Sequence, residues 1–155
     1  MGKNRKFLSL IILPVVIVAV LLVAGCSSNG EPQPSAGNRW TTSSSLTQTN
    51  SGGAVDIQVR WEADQANVLV FEVSMNTHSV DLDKVDLKQL AVLHDSQGNE
   101  FKPLSWESQP GGHHRSGRLT FAIPDSLKEN STEFLHMAIK NVAGVSERGL
   151  QWNLG

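Results

Sequence analysis

His78, Asp81 and Asp83 fall within Thr77-His78-Ser79-Val80-Asp81-Leu82-Asp83, and His113 and His114 within Gly111-Gly112-His113-His114-Arg115-Ser116-Gly117. Imidazole and carboxylate are the ligands that Zn²⁺ and Cu²⁺ favour, so these five side chains form a candidate metal set, with Met75 a further donor nearby. Joint ligation demands bent backbone. Adjacent His113 and His114 would face opposite ways on a strand, and His78 and Asp81, an odd number of positions apart, would diverge likewise. Gly111-Gly112 supplies a bend on one side, because glycine admits backbone angles barred to other residues. The same residues also support a structural role, in which they hydrogen-bond loop backbone, cap turns and pair Arg115 with Asp81 or Asp83 across one end of the fold. Both readings stand at this point.

Residue content removes other chemistries. Cys26 is the single cysteine, which rules out an intrachain disulfide and a Cys-rich zinc site. Calcium is poorly served: Asp81, Asp83 and Asp86 offer hard oxygens but no twelve-residue loop of the EF-hand kind. The chain contains no H-E-x-x-H, C-x-x-C, G-x-S-x-G or S-x-x-K and no phosphate-cradling glycine loop. Glu107 near His113 resembles a base with its orienter, yet nothing marks a nucleophile beside them, and catalysis is not expected. His94 and His136 lie within strand patterns and are read as structural.

The N-terminus sets the location. Residues 1–6 are basic, 7–24 are apolar apart from Ser9 and Pro14, and the run closes on Val23-Ala24-Gly25-Cys26. That order describes a secretory signal. Its ending resembles the lipobox of bacterial lipoproteins, which implies cleavage before Cys26 and diacylglyceryl lipid on its thiol. A thiol committed to lipid excludes a blue-copper site, and an acylated N-terminal cysteine excludes copper bound by a free N-terminal histidine. The alternative is an uncleaved anchor, since such a run is at the lower limit for spanning a bilayer. Lys3, Arg5 and Lys6 stay cytoplasmic in either case, so the remainder is extracytoplasmic. All fifteen acids and only ten of the thirteen Lys and Arg follow Gly25. A surface of that sign disfavours nucleic acid as a partner.

Residues 26–53 are rich in Ser, Thr, Asn, Gln and Gly and nearly free of apolar side chains. So little burial would not offset the entropy of ordering, and the segment is expected to be a tether with a root-mean-square span of about 30 Å. Trp40 could instead fold back onto the domain.

The elements that must carry the two histidine segments lie in 54–155. Apolar residues there recur at every second position, as on strands with one buried face. Ile57, Val59 and Trp61 mark a first strand, and Leu69, Phe71, Val73 and Met75 a second. Others are expected at 89–94, 100–104, 118–123, 133–142 and 148–154, with single helical turns possible at 80–88 and 124–130. About seven strands and no convincing amphipathic helix predict an all-β, antiparallel two-sheet sandwich, immunoglobulin-like or cupredoxin-like. The chain has no tyrosine, so the tyrosine corner of many immunoglobulin-like domains is missing.

The two histidine segments, the Ala143-Gly144-Val145-Ser146-Glu147-Arg148 turn and Trp152 together resemble a family of uncharacterised secreted or lipid-anchored prokaryotic proteins. The resemblance runs from Thr49 to Leu154 and implies an all-β domain outside the cytoplasm, without implying an activity. The sequence therefore predicts a non-enzymatic, lipid-anchored module at the cell surface or periplasmic face that binds an unknown protein or small ligand. The second possibility is a Zn²⁺ or Cu²⁺ lipoprotein for metal storage, delivery or sensing. No cofactor is certain on either reading.

Overall fold

The computed structural model describes residues 45–62 and 67–155. The signal segment, Cys26, Trp40 and most of the expected tether lie outside them. Nine strands are formed among the described residues: β1 Thr47–Gly52, β2 Val55–Trp61, β3 Val68–Thr77, β4 Ala91–Asp95, β5 Glu100–Phe101, β6 Ser105–Ser108, β7 His114–Ala122, β8 Phe134–Val142 and β9 Val145–Asn153. A 3₁₀ turn at Leu82–Lys84 and two short helices, α1 Leu87–Leu90 and α2 Asp125–Lys128, complete the set. The 3₁₀ turn and α2 fall where residues 80–88 and 124–130 suggested helical turns, while α1 runs on to Leu90 and takes the first two residues of the strand expected at 89–94, so that β4 begins at Ala91.

The strands make an antiparallel sandwich of one five-stranded sheet, β1-β2-β3-β7-β6, and one four-stranded sheet, β5-β4-β8-β9. Read from β2, the first sheet follows the immunoglobulin A-B-E-D order, and β4-β8-β9 with β5 beside it follows C-F-G with an added edge strand. The expected class holds, and of its two forms the topology is the immunoglobulin-like one. The period-two alternation builds the core. Val55, Ile57, Val59 and Trp61 of β2 are buried while Asp56, Gln58 and Arg60 between them are exposed. Register then stacks like with like: Trp61 opposes Phe71, Phe71 opposes Leu119, and Leu135 opposes Trp152. Phe71 is the hub, with ring centroids 6.0 Å from Trp61, 5.8 Å from Phe121 and 5.1 Å from Trp152.

β1 and β6 offer no apolar pattern to read. β1 occupies residues 47–52, assigned above to the tether, so the folded domain starts before residue 54. Its sequence, TQTNSG, buries nothing large, and backbone pairing with β2 holds it, from Thr47 opposite Arg60 to Gly52 opposite Val55. The Leu46 carbonyl adds a tie by accepting from Trp61 N and from Trp152 Nε1, each at 2.9 Å. β6, SWES, pairs with β7 and has Trp106 as its one apolar residue.

Polar groups fasten the two ends. Asp95, 2% exposed, accepts from the Gln97 and Asn99 amides at 3.0 and 2.9 Å, from Asn99 Nδ2 at 2.8 Å and from Ser126 Oγ at 2.7 Å. Thr132 accepts from Ser96 N at 3.0 Å and donates to the Phe134 carbonyl at 2.9 Å. These bonds tie the turn after β4 to the connection between β7 and β8, where an immunoglobulin domain with a tyrosine corner would use a phenol. At the other end Arg148 of β9, 1% exposed, donates to the carbonyls of Gly52 at 2.6 Å and Val55 at 3.0 Å, and to Asn50 Oδ1 at 3.3 Å.

Candidate functional site

The two histidine segments meet at the end of the sandwich where β3 finishes and β7 begins. Thr77 closes β3 with its side chain buried, and its Oγ1 donates to the Ala54 carbonyl at 2.6 Å. The chain then turns out of the sheet. Asp81 caps the following 3₁₀ turn by accepting from Asp83 N at 3.1 Å, and buried Leu82 pins that turn to the core. Opposite it, the Gly111 carbonyl accepts from His114 N at 3.0 Å. Gly111 and Gly112 are required there: a Cβ on Gly111 would collide with the His114 carbonyl, and Gly112 has φ +57°.

Backbone and side-chain bonds then join one segment to the other. Thr77 N donates to the His113 carbonyl at 3.0 Å and Leu82 N to the Gly112 carbonyl at 2.9 Å. Asp83 Oδ1 accepts from the Gly111 and Gly112 amides at 2.7 and 3.1 Å. Those two amides, Gly111 first, hold the Asp83 carboxyl below its ordinary pKa; slight burial opposes them and the charge of Arg115 adds to them. Arg115 Nη1 donates to the Leu82 and Val85 carbonyls, both at 2.7 Å, and its guanidinium lies 5.8 Å from the centre of the Trp106 ring.

This arrangement corrects two expectations. Arg115 forms no ion pair with Asp81 or Asp83; it braces the 3₁₀ turn through the carbonyls of Leu82 and Val85 and acts on Asp83 only through space. The proposed metal set does not assemble either. Among the described residues no group of three or more His, Cys, Asp and Glu is placed to hold a metal ion. The reasons are local. Asp83 Oδ1 is occupied by two amides, Asp81 caps a turn and meets Lys84 Nζ at 3.6 Å, and His114 has entered β7 and separates from His113. Glu107 accepts from Ser105 Oγ at 3.3 Å and stands opposite Arg118, with no bond to His113.

What the cap leaves open is a cleft of about 350 Å³ lined by Asp56, Asn76, Thr77, His78, Ser79 and His114 together with Gly53 and Ala54. His114 Nδ1 lies 2.9 Å from Asn76 Oδ1, which fixes its ring at the cleft wall. Imidazole, hydroxyl, amide and carboxylate groups thus face one concavity whose floor is backbone-braced. A second cleft of about 530 Å³ at the opposite end is lined mainly by Asp95, Gln97, Asn99, Glu100, Asp125 and Glu129. Asp95 spends both its oxygens on the turn and α2; that cleft offers carboxylate, amide and hydroxyl groups, Ser126 and Ser131 among them, but no imidazole.

Sequence reasoning found the cap segments and missed Arg148 and Asp95. A signal for both existed: Arg148 has the parity of Leu150 and Trp152, and Asp95 that of Ala91 and Leu93, so each occupies an inward position of its strand. Among the described residues no helix is long and apolar enough to cross a membrane. Comparison with family models, curated proteins and solved structures gives no match for the chain.

Proposed function

We propose that this protein is a non-enzymatic, lipid-anchored β-sandwich on the outer face of a bacterial membrane, which captures a protein or small polar ligand at the cleft formed by 77–79 and His114. The lipobox-like Val23-Ala24-Gly25-Cys26 motivates the anchor, and the resemblance to secreted and lipid-anchored all-β proteins agrees with it. The observation that carries the binding role is the division of labour within the cap. Asp83 and Arg115 are consumed in bracing backbone, whereas His78 and Ser79 remain exposed at the cleft mouth. A preformed concavity with unspent polar groups suits capture, because little ordering entropy remains to be lost on binding.

Site-specific photocrosslinking in living cells tests the proposal. A photoreactive side chain at Ser79 is expected to give a discrete, saturable adduct, and the same group at Gln97 on the far end none. Equal labelling at both positions, or none at Ser79, would count against the cleft as the binding surface.

A further inference from the structure

His94 of β4 and His136 of β8 stand directly opposite each other in the register of the four-stranded sheet, on its outer face, remote from the cap. Their ring centroids are 6.0 Å apart with planes inclined at 43°. The row continues on both sides: Glu100 of β5 pairs with His94 and Gln151 of β9 with His136. No hydrogen bond joins either ring to another described residue, and Glu100 Oε1 stands 4.0 Å from His94 Nδ1. Ring nitrogens left unspent on a sheet face are available as ligands.

Gly149 shapes the seat. In the middle of β9, a Cβ at this position would come within 2.7 Å of His136 Nε2. A glycine inside a strand weakens pairing and marks close approach by another group; here it makes room for the imidazole.

We propose that His94 and His136 form a two-imidazole site for a divalent transition ion, with Glu100 as the positioning residue for His94 and water completing the coordination. Two imidazoles sharing a tetrahedral ion at metal–nitrogen distances of about 2.0–2.1 Å have centroids about 5–5.5 Å apart, slightly less than the 6.0 Å seen here; because His136 Nε2 lies over Gly149 of β9, on the side away from β4, Nδ1 is the His136 nitrogen left for an ion shared with His94. A carboxylate behind Nδ1 is the common outer partner of a ligating histidine and directs Nε2 to the metal. Ligation requires the neutral imidazole, so protons compete with the ion for both rings. Among the described residues no third His, Cys, Asp or Glu completes the set, which leaves the ion open to solvent. Imidazole donors favour Cu²⁺ most strongly among the first-row ions, with Ni²⁺ and Zn²⁺ weaker.

The test is titration of the full-length protein in detergent with CuCl₂ at neutral pH, read by electron paramagnetic resonance. One tight site with hyperfine structure from two nitrogens is expected. His94→Gln and His136→Gln should each weaken it at least about tenfold, and Glu100→Gln by about tenfold, while His78→Ala and His113→Ala leave it intact. Melting of each variant without metal verifies that it is folded; His94, on the edge of solvent, supplies the decisive result if His136→Gln melts early. Binding unchanged in folded His94→Gln, or abolished by His78→Ala, would overturn the site.

Discussion

Arg148 Nη2 donates to the carbonyl of Gly52 at 2.6 Å, from the last strand of one sheet to the first strand of the other. The same guanidinium reaches Val55 and Asn50, so one cation fastens β9 to the start of the folded domain. Burial lowers its pKa, with Asp56 opposing, and carbonyl dipoles supply its coordination in place of a contacting carboxylate. Arg148→Ala would take this donor from the Gly52 and Val55 carbonyls, each loss costing about 1–3 kcal/mol. Chemical denaturation should therefore show a loss of at least about 3 kcal/mol, with Arg148→Lys recovering only part because an ammonium lacks the planar fork. A variant as stable as the parent would mean that β1 is held by pairing alone.

The cap makes its own prediction. Asp83→Asn keeps the shape but removes the charge from two amide bonds and should lower the melting temperature. Gly111→Ala should be worse than Ser116→Ala, since its Cβ meets backbone that cannot retreat, whereas Ser116 is exposed on β7. Melting curves of the three variants rank them.

Two groups give stability a dependence on pH in separate windows. The folded-state pKa of Asp83 lies below the unfolded value of 3.8, so its contribution is complete above 3.8 and is lost as pH falls from there through the lower folded value. His136 titrates below 6.5 in the folded state, chiefly through burial. The unfolded chain then binds the proton more readily, and stability declines as pH drops from 6.5 to that lower value and levels off beneath it. The stability of the parent relative to His136→Gln should be greatest above pH 6.5 and decline as pH falls below it; a constant difference would show that the ring does not titrate as described.

The proposed lipid anchor rests on Cys26. Cys26→Ala is expected to abolish incorporation of labelled fatty acid and to leave an unprocessed precursor. Undiminished labelling would remove the lipoprotein reading.

Most of the sandwich was legible because β2, β3, β7, β8 and β9 alternate apolar and polar residues with one face buried. β1 and β6 were not, since TQTNSG and SWES are held by backbone bonds that any side chain permits. The cap was legible as two segments and as a bracing contact, but its wiring was not. Whether Arg115 would meet Asp83 or the carbonyls of Leu82 and Val85 depends on the angle between segments far apart in sequence. Arg148 was hidden by its type: charge outweighs parity in a reading that expects cations at the surface.

The central claim is that residues 77–83 and 111–115 form one preorganised unit, and amide hydrogen exchange measures it most directly. The Gly111 and Gly112 amides should exchange more slowly than unprotected glycine amides by on the order of tenfold or more, and in Asp83→Ala that protection should vanish while Thr77 and Leu82 loosen with it. Free exchange at both glycines in the parent protein, or Thr77 and Leu82 unaffected in the variant, would contradict a braced cap.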